Sequence, residues 1–434
     1  MEEILQIAKK VTQQAEVFSV TSRRTEASFE ANRLKQVQTN ESAGTALRII
    51  KDGRIGFSAT TRIKDQKELV DMALEMAPFG AEARFHLPGP QSYRSVQVFD
   101  SNVETLTEEA MVEMGQSLID SLLKIQPDLV CEGSVGRRIS KMRIINSSGS
   151  DVSYRKSVFS IMIEGVLVRG TDMLFVGDME SSCHPVTSIE NIAGSVIQQL
   201  ERARETVAAP SGTLPVVFTP HGVAGALLSP LAVAFNGKTV LRGASPLGHR
   251  LGEQVLSKDF TLYDDGTIDF CPAAAICDDE GIPSRRNPLI EEGVVKGFIY
   301  DLQTAGEAGT ESTGNGSRSV ASLPAPGTNA LIVKSGSAAF EDMLADIREG
   351  LVVEQLMGAT QGNILGGDFS GNVLLGYRVE NGRITGRVKN TMVSGNVYKL
   401  LAEGITIGND SRWLGGSLQT PSILCPSVAV AATV

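Results

Sequence analysis

The chain has 434 residues, enough for two or three domains with proper cores. With 42% hydrophobic and 21% charged residues and a mean hydropathy near zero, it reads as globular, and no apolar run reaches the ~18 residues a membrane helix needs. A net charge of -10, with no Lys/Arg block longer than a pair, speaks against a nucleic-acid surface, because phosphate binding needs concentrated cations.

Five widely spaced cysteines without a C-x-x-C pair are expected to be reduced thiols of a cytoplasmic protein. The acidic, helical start gives the expectation of no signal peptide. Residues 2–14 place Ile4, Leu5, Ala8 and Val11 on one helix face. Strands are expected over 17–22, 25–30, 44–50 and 56–61, with Asp52-Gly53 turning the last pair as a hairpin. A helix over Lys64 to Met76 follows, then a loop over 88–93. Thr105 and Glu108 carry a capping-box spacing for a helix to about Ile125. A second strand block covers 129–135, 141–145, 152–156 and 157–169, and a helix spans 188–204.

The first half therefore repeats a helix–strands–helix order without a residue-level repeat. It predicts an α+β region over 1–207 with an antiparallel sheet and helix layers. A further division into about 1–100 and 101–207 is left open. Residues 208–212 are small and turn-prone and mark the main boundary. Beyond it, from 213 to 434, glycine becomes dense and D-G, E-G and N-G pairs punctuate short strands, which predicts a Gly-rich, β-rich domain. A helix is expected near 340–349. Val373–Val379 and Ile384–Val388, joined over 380–383, form its clearest hairpin.

One junction stands out. A strand-like run from Thr213 ends at Pro220, and an Ala/Leu-rich helix opens behind it with His221 at the join. A helix-borne zinc motif would sit here, with two imidazoles as ligands and a glutamate to activate water. In a motif of the H-E-x-x-H type the two imidazoles share one helix face, but here Gly222 stands at the glutamate position and Gly225 at the one-turn partner position.

The order of His221, Asp264-Asp265-Gly266-Thr267, Cys277-Asp278-Asp279-Glu280, Thr313-Gly314-Asn315-Gly316-Ser317-Arg318, Gly366-Gly367-Asp368, Asn381-Gly382 and Asn409-Asp410 resembles the TldD/PmbA family across the C-terminal half. That family, also called "modulator of DNA gyrase", comprises paired intracellular proteins that act together as a metallopeptidase on peptides. The resemblance implies a TldD-type subunit with an H-E-x-x-x-H helix and a later cysteine, and a PmbA/TldE-type subunit without that site. Here His221 matches the first histidine, Gly222 stands at the glutamate, Ala226 at the second histidine, and no cysteine falls near Gly415-Gly416. Cys425, about ten residues on, is a poor substitute. The departures resemble the PmbA/TldE pattern.

The expectations that follow are a non-catalytic subunit in the cytoplasm, with no metal of its own and zinc in a TldD-like partner. His221 is read as a relic of the metal motif. Asp278, Asp279, Glu280, Asn315 and Arg318 are the candidate lining of a peptide cleft, although the acids also suit a simpler role, capping a turn at Gly281 and pairing with Arg285 or Arg286. Asn315 and Arg318 lie in a loop able to hold a peptide or its carboxylate. A homodimer completed through the apolar run Ile423–Val430 is a further possibility. The alternatives are an active metallopeptidase with ligands distant in sequence, and a gyrase-associated binding protein without DNA contact.

Overall fold

The computed structural model of the chain describes residues 1–62, 65–186 and 188–432. Its N-terminal half is one antiparallel sheet in the order β3-β2-β1-β4-β5-β6, formed by β1 (Gln14–Glu30), β2 (Arg33–Lys51), β3 (Arg54–Thr60), β4 (Val130–Asn146), β5 (Asp151–Arg169) and β6 (Asp172–Ser182). β1 and β4 pair from Glu16↔Asn146 to Phe29↔Gly133, so the two helix–strands–helix units share one continuous sheet. Helices α1 (Glu2–Lys9) and α2 (Gln66–Met76) pack their apolar stripes on Ala15, Val17, Leu47 and Ile49. A short α3 (Ser101–Thr105) precedes α4 (Glu108–Ile125), and α4 and α5 (Glu190–Arg202) cover Ala27, Val135, Phe159 and Ile161. Burial of these apolar faces is what holds the helices on the sheet.

Several expected boundaries move. α1 stops at Lys9 because Gln14 already belongs to β1. The N-cap of α4 is Thr107, whose hydroxyl accepts from the Ala110 N–H at 3.2 Å, two residues after the expected Thr105. Asp52 and Gly53 both take positive φ, as the tight hairpin turn demands. Lys64, the expected first residue of the second helix, lies outside the described residues.

The strands are much longer than their apolar patches. Residues 33–43 of β2 are exposed, and their polar sequence gives no strand signal; the ladder to β1 makes them a strand. This stretch extends beyond β3, which reaches only Thr45, and forms a long free edge.

Behind the boundary, β7 (Gly212–Phe218) enters a second core. It lies between Glu349–Met357, to which it is parallel, and Ile423–Ala432. With Thr391–Asn396 and Asp368–Glu380, and a pairing between Glu349–Met357 and Asp368–Glu380, five strands close into a barrel. The Asp368–Glu380 and Arg383–Arg387 hairpin is the one its turn residues announce. Ile423–Ala432 is paired on both sides, so it cannot complete a homodimer as expected from its apolar run. The expected helix near 340–349 is confined to Phe340–Ala345, since Glu349 starts a barrel strand. A separate six-stranded sheet carries Leu262–Asp265 and, at its edge, Arg412–Leu414.

Candidate functional site

The Thr219 hydroxyl caps the helix α6 (Pro220–Val223) that follows β7, and a π-helical turn over Ala224–Leu228 continues it. The distortion that an H-E-x-x-x-H spacing would require is therefore built in, although only its first histidine is present. His221 looks onto an apolar groove of about 450 Å³ lined by Met162, Phe175, Asp178 and Gln355 among others. On the other side of the same helix, Ala224, Leu228 and Ala232 face an interdomain cleft of about 600 Å³. The helix is a wall between two cavities.

The partner of His221 comes from a strand that carried no sequence signal. Asp178, on β6 with a fully buried side chain, lies with Oδ1 3.5 Å from His221 Nε2. Its other oxygen accepts from Arg412 Nη2 at 2.6 Å. Burial pushes the Asp178 carboxyl up, but the His221 hydrogen bond and the Arg412 charge outweigh it and hold the group below the usual carboxylate range. Nearby, Glu354 accepts from the Tyr377 hydroxyl at 2.9 Å, and burial raises its pKa.

This set does not suit zinc. Gly222 and Ala226 offer no donor, and the carboxylate that meets the imidazole, Asp178, is occupied by a guanidinium whose charge would repel a metal cation. Among the described residues, no group of three or more His, Cys, Asp and Glu is placed to hold a metal ion. Gly222 is also constrained: a Cβ there would stand 2.3 Å from the Val353 carbonyl oxygen. Gly415 and Gly416 turn the hairpin after Arg412–Leu414 with φ of 58° and 70°, a conformation that disfavours cysteine. Cys425 is wholly buried in the barrel strand, where burial pushes its thiol up to about 12.

The five residues expected at a peptide cleft part company. Asp278, Asp279 and Asn315 line the interdomain cleft, together with Tyr154 and Lys156 from β5. Asp278 caps the turn at Gly281 by accepting from the Glu280 and Ile282 N–H groups, each at 2.9 Å. Burial, then the charge of Glu280, raises its pKa well above the carboxylate range. Asp279 accepts from the Arg318 N–H at 2.9 Å. Glu280 and Arg318 do not line the cleft.

They belong instead to a buried cluster across the domain junction. Arg48 of β2 donates to Glu280 at 2.6 Å and to Glu16 of β1 at 3.0 Å, and Arg318 lies 2.8 Å from Glu16. All four side chains are at most 2% exposed. The two guanidinium groups also lie over the rings of Phe85 and Phe18, at 4.7 and 4.3 Å. Glu280 thus pairs with Arg48, not with Arg285 or Arg286; Arg285 bonds the Ser312 and Thr313 carbonyls and Arg286 stacks on Tyr263.

Asn315 holds the cleft wall. Its amide donates to Asp264 at 2.8 Å and to the Gly327 carbonyl at 2.9 Å, while Asn329 also donates to Asp264. Burial pushes Asp264 up to about 6 despite these donors. Because this is above the unfolded value of about 3.9, the folded chain binds more protons between the two. The contribution of Asp264 to stability is best below pH ~4 and falls as pH rises to about 6. Carboxyl-carbon NMR of the folded chain is expected to place its midpoint near 6; a midpoint at or below the unfolded value would mean that the amide donors outweigh burial.

Lys156, Asp178, Glu354 and Arg412 were not visible as site residues in the sequence. Lys156 lies in an expected strand but carries no local motif, Asp178 lies in a strand that was not expected, and the others act through long-range contacts.

With this geometry in view, the likeness to known proteins is direct. Residues 211–432 match the PmbA/TldA metallopeptidase C-terminal domain, and residues 15–77 match domain 1 of the same metallopeptidases. An uncharacterized protein of Methanocaldococcus jannaschii is 27% identical over 379 residues, which is 85% of this chain and 86% of that protein. A metalloprotease TldD homolog of Haemophilus influenzae is 36% identical over 165 residues, 38% of this chain and 34% of its own length. The crystal structure of TldE from Thermococcus kodakarensis superposes with a TM-score of 0.91 at 28% identity, covering 100% of both chains.

Proposed function

The chain belongs to the PmbA/TldD family of metallopeptidase-like proteins, and from that premise we propose that it is a non-catalytic, PmbA/TldE-type subunit. It works in the cytoplasm with a TldD-like, zinc-bearing partner on peptides or unfolded proteins, and it holds no zinc itself. The observation that carries this reading is at Gly222. The position that would bear the water-activating glutamate has the Val353 carbonyl in the path of any side chain, and His221 is engaged by Asp178, whose second oxygen belongs to Arg412. The five cysteines, all buried free thiols, agree with a reducing compartment. No helix among the described residues is long and apolar enough to cross a membrane.

The substrate lies extended in the interdomain cleft. Barrel closure leaves no free edge on that ring for strand addition, whereas the cleft offers polar groups on both walls. The partner docks on the free edge of β2 over residues 33–43, where Leu34 is exposed between Arg33 and Lys35 and Val37 between Gln36 and Gln38. The same edge supports self-association when the partner is absent.

Co-expression with a TldD-like subunit tests the proposal. The pair is expected to cleave an unfolded peptide substrate well above the TldD-like subunit alone, and the purified chain to carry far less than one zinc or iron per molecule. A Val37→Pro substitution, which removes an N–H from the strand, is expected to weaken co-purification. A pair no more active than the TldD-like subunit alone sinks the reading. A metal content near one per chain, lost on His221→Ala, replaces it with an active peptidase whose ligands are distant in sequence.

A further inference from the structure

Lys156 stands out among the cations of this chain. It projects from β5 into the interdomain cleft and is part-buried, yet no carboxylate among the described residues comes within 4.0 Å of its ammonium group. It donates one hydrogen bond, 2.6 Å to the Ala274 carbonyl. The buried guanidinium groups of Arg48, Arg318 and Arg387 are all ion-paired. A buried charge without a counter-charge is costly, and an ammonium group has three N–H donors to satisfy.

We infer that Lys156 is the anion subsite of the cleft and takes the C-terminal carboxylate of a bound peptide. The inference rests on the peptide-cleft reading above and adds to it which end of the peptide is held. The commitment to a carboxylate follows from the peptide-cleft reading; Asp279 lines the same cleft, and when ionised it opposes a more highly charged anion such as phosphate, whereas Asp278 is held toward its neutral form by burial. The walls nearby carry small side chains, Ala224, Ala232, Ala273 and Ala275, which leave room for main chain more than for bulky side groups. Burial lowers the Lys156 pKa, opposed by Cys183, Cys271 and Asp279, as expected of a cation still lacking its counter-ion.

Calorimetry with three N-acetylated pentapeptides tests this: Ala-Val-Ala-Gly-Ala as the free acid, the same peptide as its amide, and Ala-Val-Ala-Gly-Glu as an amide. The wild-type chain is expected to bind the free acid at least tenfold tighter than either amide. Lys156→Met is expected to abolish that preference, bringing the free acid down to the affinity of its amide. Equal binding of acid and plain amide by the wild type overturns the subsite and leaves the cleft reading intact. Tightest binding of the glutamate amide overturns the C-terminal assignment in favour of a side-chain carboxylate. Binding of none of them overturns the subsite and the cleft reading together. Should Lys156→Met fail to fold, amine labelling decides on the wild type: the free acid is expected to shield Lys156 from acetic anhydride and the amide is not, and equal labelling with both overturns the inference.

Discussion

Arg48→Met is expected to cost about 3–5 kcal/mol of stability, the range for removing one partner of a buried ion pair. Arg48 serves Glu16 and Glu280 at once from a site almost closed to water. Without it, Glu16 keeps Arg318, but among the described residues Glu280 keeps only the Leu302 N–H, at 2.7 Å. The loss is therefore concentrated on one uncompensated carboxylate. Burial already raises the Glu280 pKa against the pull of Arg48. Removing Arg48 raises it further, so the variant binds its proton more readily in the folded state and loses less relative to wild type as pH falls. Denaturant unfolding at two pH values measures both effects. Adding Glu280→Gln to the variant is expected to recover most of the loss, since it removes the stranded charge. A loss under about 1 kcal/mol for Arg48→Met would mean that the pair is as weak as a surface salt bridge. Because Arg48 belongs to the N-terminal sheet and Glu280 to the C-terminal half, this cluster also fixes how the cleft walls meet.

Gly222→Ala is expected to destabilise the chain by about 1–3 kcal/mol, against the usual sign for such a change in a helix. The added Cβ would meet the Val353 carbonyl oxygen at 2.3 Å, and that oxygen is held in place by the Thr219 N–H at 3.0 Å. Gly225, three residues on in the same helical run, has nothing within 4 Å of where an added methyl would stand. Gly225→Ala is therefore the internal control, expected to stabilise by about 0.5–1 kcal/mol. Thermal unfolding of the two variants side by side reads the difference. Equal effects would mean that the backbone at Gly222 yields easily. The stronger form of the test is Gly222→Glu with Ala226→His, which restores the letters of the metal motif. It is expected to lower stability further, because Ala226 is itself buried, and to give no peptidase activity. Zinc-dependent cleavage by this double variant would show that the site was lost only by two substitutions.

The sequence was legible where a local rule governs. The Asp52-Gly53 turn, the hairpin after Glu380 and the helical face of Leu69, Val70 and Ala73 each follow from one residue's conformational freedom or from periodic burial. Asp278 capping the turn at Gly281 was legible for the same reason. It was less legible where the partner lies far along the chain. Residues 33–43 look like a polar loop because an edge strand needs only a neighbouring ladder, and β6 was overlooked, taking Asp178 with it. Arg318 was expected at the cleft from its glycine-rich loop and Glu280 from the family pattern, yet each has a buried countercharge on the N-terminal sheet.

What the sequence by itself determined is the family, the α+β layers followed by a β-rich domain, and that Gly222 and Ala226 stand where the resembled motif has its glutamate and second histidine, all carried by residue identity and short-range pattern. Only the tertiary structure decided that His221 is tied to Asp178, which also binds Arg412, that Val353 blocks position 222, and that Lys156 faces the cleft with no carboxylate among the described residues within 4.0 Å. Those facts depend on which distant strands share a sheet and how two cores meet, and no local spacing encodes the distance between residues hundreds of positions apart.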